Sequence, residues 1–209
     1  MSMKKMLDGI LQKLNIPFCS EADFQFVLTW EIKKKLGENG DVILEYPGSD
    51  KKERAIYYDI YVVVKDNDKN IEESHLIELK YRTKKDTIRR HGHDFQLKNQ
   101  GAQNLGRLHF IKDIARLESQ DVVNGSCYCI MLTNDKSYMA GAKSEKIKDK
   151  DFRLKDKIVA DDNKTYGNDI VEIKNNYTVK WQDYKLTEIS PNQKFKFQYL
   201  LLEIPPKGR

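Results

Sequence analysis

Apolar residues near the start of the chain recur at helical spacing. Met6, Leu7, Ile10, Leu11 and Leu14 share one face, while Lys4, Lys5, Asp8, Gln12 and Lys13 interrupt the rest. This predicts a short amphipathic helix within Met1–Phe18, broken by Pro17-Phe18. A second helix is predicted over Glu21–Leu36. Ser20 serves as its N-cap with Asp23 three residues on, a capping-box-like pair, and Gly37 and Gly40 end it. Its apolar stripe holds Phe24, Val27, Leu28, Ile32 and Leu36. The period then drops to two, and Val42–Tyr46, Ala55–Val64 and His75–Tyr81 predict strands. The polar run from Lys65 to Asn70 joins the last two strands as a hairpin.

Beyond the hairpin the pattern predicts a basic, polar stretch over Arg82–Asp94 and a long helix over about Phe95 to Glu118. A buried strand follows over Ser126–Thr133, then a charge-dominated loop over Gly141–Lys164 with room for a helical turn. Strands return over Asp169–Lys174, Tyr177–Tyr184 and Phe195–Ile204. The order predicts an α/β fold, a mixed central sheet flanked by helices. Residues 1–140 form the expected core, and 141–209 form a charged loop and β-rich extension packed on the same domain.

The hairpin carries the chemistry. A turn centred between Asp68 and Lys69 sets Asp59 opposite Glu78, Tyr57 opposite Lys80 and Ile60 opposite Ile77. Side chains alternate between faces, so Tyr58, Ile60, Val62, Ile77, Leu79 and Tyr81 make a core face. Asp59, Glu78 and Lys80 stand on the other. Carboxylates directly opposed, with Cβ atoms about 4.5–5.5 Å apart, repel each other. A divalent cation with oxygen ligands relieves that repulsion. Lys80 lies two residues past Glu78, about 6.5 Å along the strand, and reaches a phosphate or its attacking water. Glu-x-Lys alone is common on solvated strands, but Tyr57, Tyr61 and Val63 on the same face predict that it is partly covered.

Two helices offer further candidates. Glu21 falls in the middle of the apolar stripe and Glu31 near its edge, and a glutamate there needs a partner. Dipole preference for acids in a first turn is the plain alternative. Gln96, Gln100, Gln103 and Arg107 share a face of the expected long helix that continues as Phe110, Ile114 and Leu117. Such glutamines suit hydrogen bonds to a water or phosphate, and Arg107 suits an anionic phosphoryl group.

Charge adds a little. With 37 Lys+Arg against 32 Asp+Glu the net charge is +5, which does not by itself mark a nucleic-acid binder. The location is more telling: Lys80, Arg82, Lys84, Lys85, Arg89 and Arg90 begin at the Glu-x-Lys strand, where phosphate contacts would be made. His91 and His93 follow, too few for a metal site without a third ligand. Tyr177, Trp181 and Tyr184 suit core or interface positions better than base stacking. Cys19, Cys127 and Cys129 fit reduced thiols in a cytoplasmic protein. The N-terminal charges exclude a signal peptide, no stretch is long enough to span a membrane, and no glycine-rich phosphate loop is present.

The order of elements over about Ser20 to Thr133, with Tyr58-Asp59 and Glu78-Leu79-Lys80 within Leu76–Arg82, resembles the PD-(D/E)XK nuclease superfamily, the restriction-endonuclease-like fold. Tyr58 stands where the motif's name has proline. The resemblance implies a metal-dependent nuclease, a DNA endonuclease in the first instance with RNA not excluded. Asp59 and Glu78 would bind Mg²⁺ or Mn²⁺, and Lys80 would orient or activate the water. Many members add an acid from the first helix, which points to Glu21, and Gln100 joins the expected catalytic set. Arg82, Lys84, Lys85, Arg89, Arg90 and Arg107 are the expected nucleic-acid contacts, and double-strand cleavage would suit a homodimer. The alternatives are a non-catalytic member of the same fold that binds nucleic acid or protein, and an α/β interaction protein with a coincidental motif.

Overall fold

The structure, a computed structural model, describes residues 2–49, 55–66, 71–122, 124–144 and 146–205. In chain order the main elements are α1 (Met3–Lys13), α2 (Glu21–Leu36), β1 (Gly40–Ser49), β2 (Ala55–Asp66), β3 (Ile71–Arg82), β4 (Asp86–Arg90), β5 (His93–Leu97), α3 (Gln103–Leu117) and β6 (Cys127–Thr133). The remainder are β7 (Lys157–Ile158), β8 (Asp161–Tyr166), β9 (Asp169–Ile173), β10 (Tyr177–Thr178), β11 (Trp181–Tyr184) and β12 (Phe197–Ile204), with short 3-10 turns at Lys136–Met139 and Lys150–Phe152.

A mixed six-stranded sheet in the order β1-β2-β3-β6-β12-β11 is the centre of the molecule. Its neighbours pair antiparallel except β3 and β6, which run parallel, with α3 in the connection between them. A parallel pair needs such a crossover. Every residue of β6 is buried, as a strand covered on both faces requires. The C-terminal strands β12 and β11 extend this sheet. Among the described residues no helix is long and apolar enough to cross a membrane.

Two hydrophobic layers sandwich the sheet. α1 and α2 press Leu7, Phe24, Leu28 and Ile32 onto Ile60, Val62, Ile77, Leu79 and Tyr81. α3 presses Phe110, Ile111, Ile114 and Leu117 onto Leu76, Cys129 and Met131, and Val171 and Ile173 of β9 join that layer. α2 occupies the span expected, and its cap is the expected one: Ser20 Oγ accepts from Asp23 N–H at 3.1 Å, and Asp23 Oδ2 accepts from Cys19 N–H at 2.9 Å. Gly37 ends it at φ +57°, a left-handed value that glycine adopts without strain.

Three expectations need correction. The long helix begins at Gln103, because residues 86–97 form the β4–β5 hairpin around His91-Gly92, both at positive φ. Ile88 and Leu97 are buried in the α1–α2 layer, so tertiary burial decides these residues. Gln96 and Gln100 therefore precede α3 and share no helical face with Gln103 and Arg107. Tyr58 also differs: it packs in the α3 layer, not with Ile60. Within the region read as loop, residues 157–158 and 161–164 lie in β7 and β8. Tyr177 and Tyr184 are core residues, 6% and 4% exposed.

Candidate functional site

The β2–β3 ladder runs from Asp66↔Ile71 to Ile60↔Ile77. This is the register read from the sequence, in which the next rung would be Asp59 and Glu78. That rung does not form, and β3 continues alone on this side to Arg82. Its outward N–H groups are then left without a strand, and buried backbone donors need partners. Three side chains supply them. Asp59 Oδ2 accepts from Leu79 N–H at 2.5 Å, Glu21 Oε2 from Tyr81 N–H at 2.6 Å and Gln100 Oε1 from Thr83 N–H at 2.7 Å. The three residues singled out from β2, from α2 and from the stretch after β5 thus line one edge of β3 at alternate positions.

The parting of the strands has a local cause. Glu45, across β1 from Asp59, has φ +49° and makes no rung. Gln25 of α2 pins the kink, with its amide nitrogen donating to Glu45 Oε1 at 2.8 Å and to the Asp59 carbonyl at 2.6 Å. A kink here re-aims the side chains that follow, which explains why Tyr58 and Ile60 lie in different layers.

Glu78 and Lys80 face α3, which answers with Asp113 and Arg116. Lys80 Nζ lies 2.8 Å from Asp113 Oδ2 and 3.0 Å from the Leu79 carbonyl. Arg116 donates to Glu78 Oε1 in a close contact and lies 3.2 Å from Asp113 Oδ1. The Arg116 guanidinium also sits 5.3 Å above the Tyr58 ring. Among the described residues, the buried Tyr58 Oη and Arg116 Nε of this cluster meet no hydrogen-bond partner, an uncommon state for buried polar groups.

Charge is not balanced here. Asp59, Glu78, Asp113 and Glu21 converge on Lys80 and Arg116. Burial, then the carboxylates of Asp113 and Asp59, push the Glu78 carboxyl well above the usual range, and Arg116 and Lys80 only partly offset them. Burial likewise raises Asp59 despite the Leu79 N–H. For Lys80, burial opposes the charge but Asp113, Glu21 and Asp59 outweigh it, so the ammonium holds its proton more tightly than a free lysine.

One oxygen each of Asp59 and Glu78 is engaged by the hydrogen bonds above, which leaves Asp59 Oδ1 and Glu78 Oε2 outside them. These hard oxygen donors suit Mg²⁺ or Mn²⁺. Among the described residues, however, no three His, Cys, Asp or Glu side chains are arranged as a ready metal cage. A cation held here by the protein would rest on few carboxylates and need substrate or water oxygens to complete its shell.

The basic residues divide. Lys85 is exposed, Lys84 is exposed with Nζ 4.7 Å over the Phe195 ring, and Arg82 is half-buried. Arg89 pairs with Asp94 at 2.7 Å and Arg90 with Asp23 at 2.9 Å, so both are partly neutralised. Arg107 is removed from the expected contact set. It is 4% exposed, holds Asp149 through Nε at 2.8 Å and stands over Tyr138. Glu31 pairs with Lys34 at 3.1 Å at the surface, away from Asp59. Asp113 and Arg116 were not foreseen. Their signal was an acid and a base three residues apart beside the apolar stripe of Phe110, Ile114 and Leu117.

Comparison with protein-family models, curated proteins and solved structures returned no match.

Proposed function

We propose that this chain is a metal-dependent nuclease that hydrolyses phosphodiester bonds, acting as an endonuclease on DNA in the PD-(D/E)XK manner. The supporting observation is the convergence of Asp59, Glu78 and Lys80 where β2 leaves β3. There an excess of carboxylate is held beside a charged lysine and a guanidinium. Such an excess is costly for the protein alone and is what a divalent cation relieves. Asp59 and Glu78 would hold Mg²⁺ or Mn²⁺. The ion would polarise the phosphodiester and lower the pKa of its water.

The side chains supply the rest. Lys80 stays protonated and offers a fixed positive charge to a phosphate oxygen. Asp113 holds that ammonium in place, and Arg116 orients Glu78 by a charge-assisted hydrogen bond. Glu21 and Gln100 keep the β3 edge straight by taking its N–H groups, a positioning role. Exposed Lys84 and Lys85 and half-buried Arg82 would contact the polynucleotide backbone.

The decisive test is an assay on supercoiled, linear and single-stranded DNA, with and without Mn²⁺, comparing the parent with Asp59→Asn and Glu78→Gln. Metal-dependent cleavage lost in both variants is the expected outcome. Salt-sensitive binding without cleavage would instead identify a non-catalytic binder of the same architecture.

A further inference from the structure

The sheet face that carries Glu78 and Lys80 continues onto β2 and β1 as a row of tyrosines. Tyr61 stands directly opposite Leu76, two residues before Glu78. That places it diagonal to Glu78, about 7–8 Å away across the ladder. The Tyr61 ring lies on Tyr46 of β1, with centroids 4.1 Å apart and planes 20° apart. Tyr58, opposite Tyr46 in the β1–β2 ladder, lies under the Arg116 guanidinium that holds Glu78. Carboxylate, guanidinium and ring form one contact path from the site to the row.

Among the described residues helix α3 makes its main sheet contacts with β3 and β6 rather than with β1 and β2. Tyr46 and Tyr61 are half-buried, and Ile43, opposite Tyr61 on the outer strand, is 45% exposed. A cross-strand aromatic pair stabilises a sheet by itself. Its place is what makes it informative, because the pair stands diagonal to Glu78 on the sheet face that carries the site.

Resting on the nuclease reading, we propose that Tyr46 and Tyr61 form a stacking platform for an unpaired base beside the scissile phosphate, which makes the substrate single-stranded or locally opened nucleic acid. Every base has a π-face, so the platform accepts bases without demanding a sequence. A closed duplex keeps its bases stacked on one another and leaves the tyrosines without a partner. Arg116 over Tyr58 carries the positive charge from the metal carboxylates toward this surface, on the path a backbone phosphate would follow.

The test measures anisotropy with single-stranded and duplex oligonucleotides and quenching of 2-aminopurine placed beside the bound phosphate. Glu78→Gln is the background, to prevent turnover. The single strand should bind more tightly than the duplex, with quenched 2-aminopurine. Tyr61→Leu and Tyr46→Leu should each weaken single-strand binding about tenfold, the loss of one stacked base, and leave duplex binding unchanged. Tyr61→Phe should bind as the parent does, and Tyr61→Trp serves the same comparison if the leucine variants fail to fold. Tighter duplex binding, or leucine variants that hold the single strand like the parent, would overturn the platform. If the parent cleaves DNA while those variants bind unchanged, the platform alone fails. If bases stack on the tyrosines but the parent never hydrolyses the strand, the nuclease reading alone fails.

Discussion

The carboxylate of Asp59 accepts the main-chain N–H of Leu79 at 2.5 Å, at the rung where β2 leaves β3. One side chain therefore closes a sheet edge while its charge acts on Lys80 and Glu78. The two roles separate by substitution. Asp59→Asn keeps an acceptor for Leu79 and removes the charge. It should fold with nearly unchanged stability and lose metal-dependent cleavage by at least about 10²-fold, the scale of losing one electrostatic stabiliser. Asp59→Ala should lose the same activity and in addition about 1–3 kcal/mol of stability for the orphaned N–H. Urea denaturation beside the nuclease assay checks both. An asparagine variant that cuts like the parent ends the ligand assignment.

The charge excess around Glu78 makes stability depend on pH in an unusual direction. Burial and the neighbouring Asp113 and Asp59 raise the Glu78 carboxyl, and burial raises Asp59. The folded chain then binds more protons than the unfolded chain once pH passes the unfolded glutamate and aspartate values of about 4. Stability should fall as pH rises from there through the raised folded values. Lys80, also raised, adds stability that is lost only at far more alkaline pH and does not blur this window. A divalent cation binds the ionised form, so Mn²⁺ should restore the lost stability, more at pH 8 than at pH 5. Glu78→Gln should flatten both effects. Thermal melting across pH, with and without Mn²⁺, reads this directly, and a melting temperature indifferent to Mn²⁺ at every pH would sink it.

The basic residues should fall into two kinds. Lys84 and Lys85 are exposed, and replacing each by alanine should reduce the salt dependence of nucleic-acid binding by about one phosphate contact, with stability unchanged. Arg107 is buried against Asp149. Arg107→Ala leaves Asp149 to Arg153 alone, 2.9 Å away, and should cost about 1–3 kcal/mol, with no change in the salt slope of whatever protein remains folded. Affinity measured at several salt concentrations separates the groups. An unchanged slope for Lys84→Ala and Lys85→Ala together would remove that loop from the nucleic-acid interface.

What was legible in the chain follows from the range of the forces involved. Local signals were enough for α2, because Ser20, Asp23 and Gly37 act within a turn of the residues they cap. Alternation was enough for the hairpin register, because a one-residue slip would turn Ile60, Val62, Ile77 and Leu79 out of the core. The β4–β5 hairpin was missed because Thr87, Ile88 and Phe95 sit among charges, and what fixes them is distant. Asp86 accepts the N–H groups of Lys194 and Phe195 at 2.8 and 2.9 Å. The site was half legible. Asp59, Glu78 and Lys80 stood out by spacing, whereas Asp113 and Arg116 come to Glu78 through the packing of α3 on the sheet. The kink at Glu45, pinned by Gln25, has no local signature at all.

A second buried carboxylate shows that burial alone does not mark a site. Glu118, 4% exposed just past α3, accepts from Lys174 N–H at 2.8 Å, Asn175 N–H at 2.9 Å, Asn175 Nδ2 at 3.0 Å and Tyr177 Oη at 2.6 Å. Its oxygens are met by donors, and it ties the turn between β9 and β10 to the end of α3. Glu78 is met by one guanidinium and faces two acids. Glu118→Ala should therefore cost on the order of 3 kcal/mol, since charge-assisted bonds are lost and their donors are left unsatisfied. Because β9 packs on α3, the loss should also loosen the helix that delivers Asp113 and Arg116. Cleavage below the shifted melting temperature should persist at reduced rate, with Mn²⁺ dependence intact. Full loss of metal dependence in a folded Glu118→Ala protein would place this carboxylate in the site and overturn its assignment as an anchor.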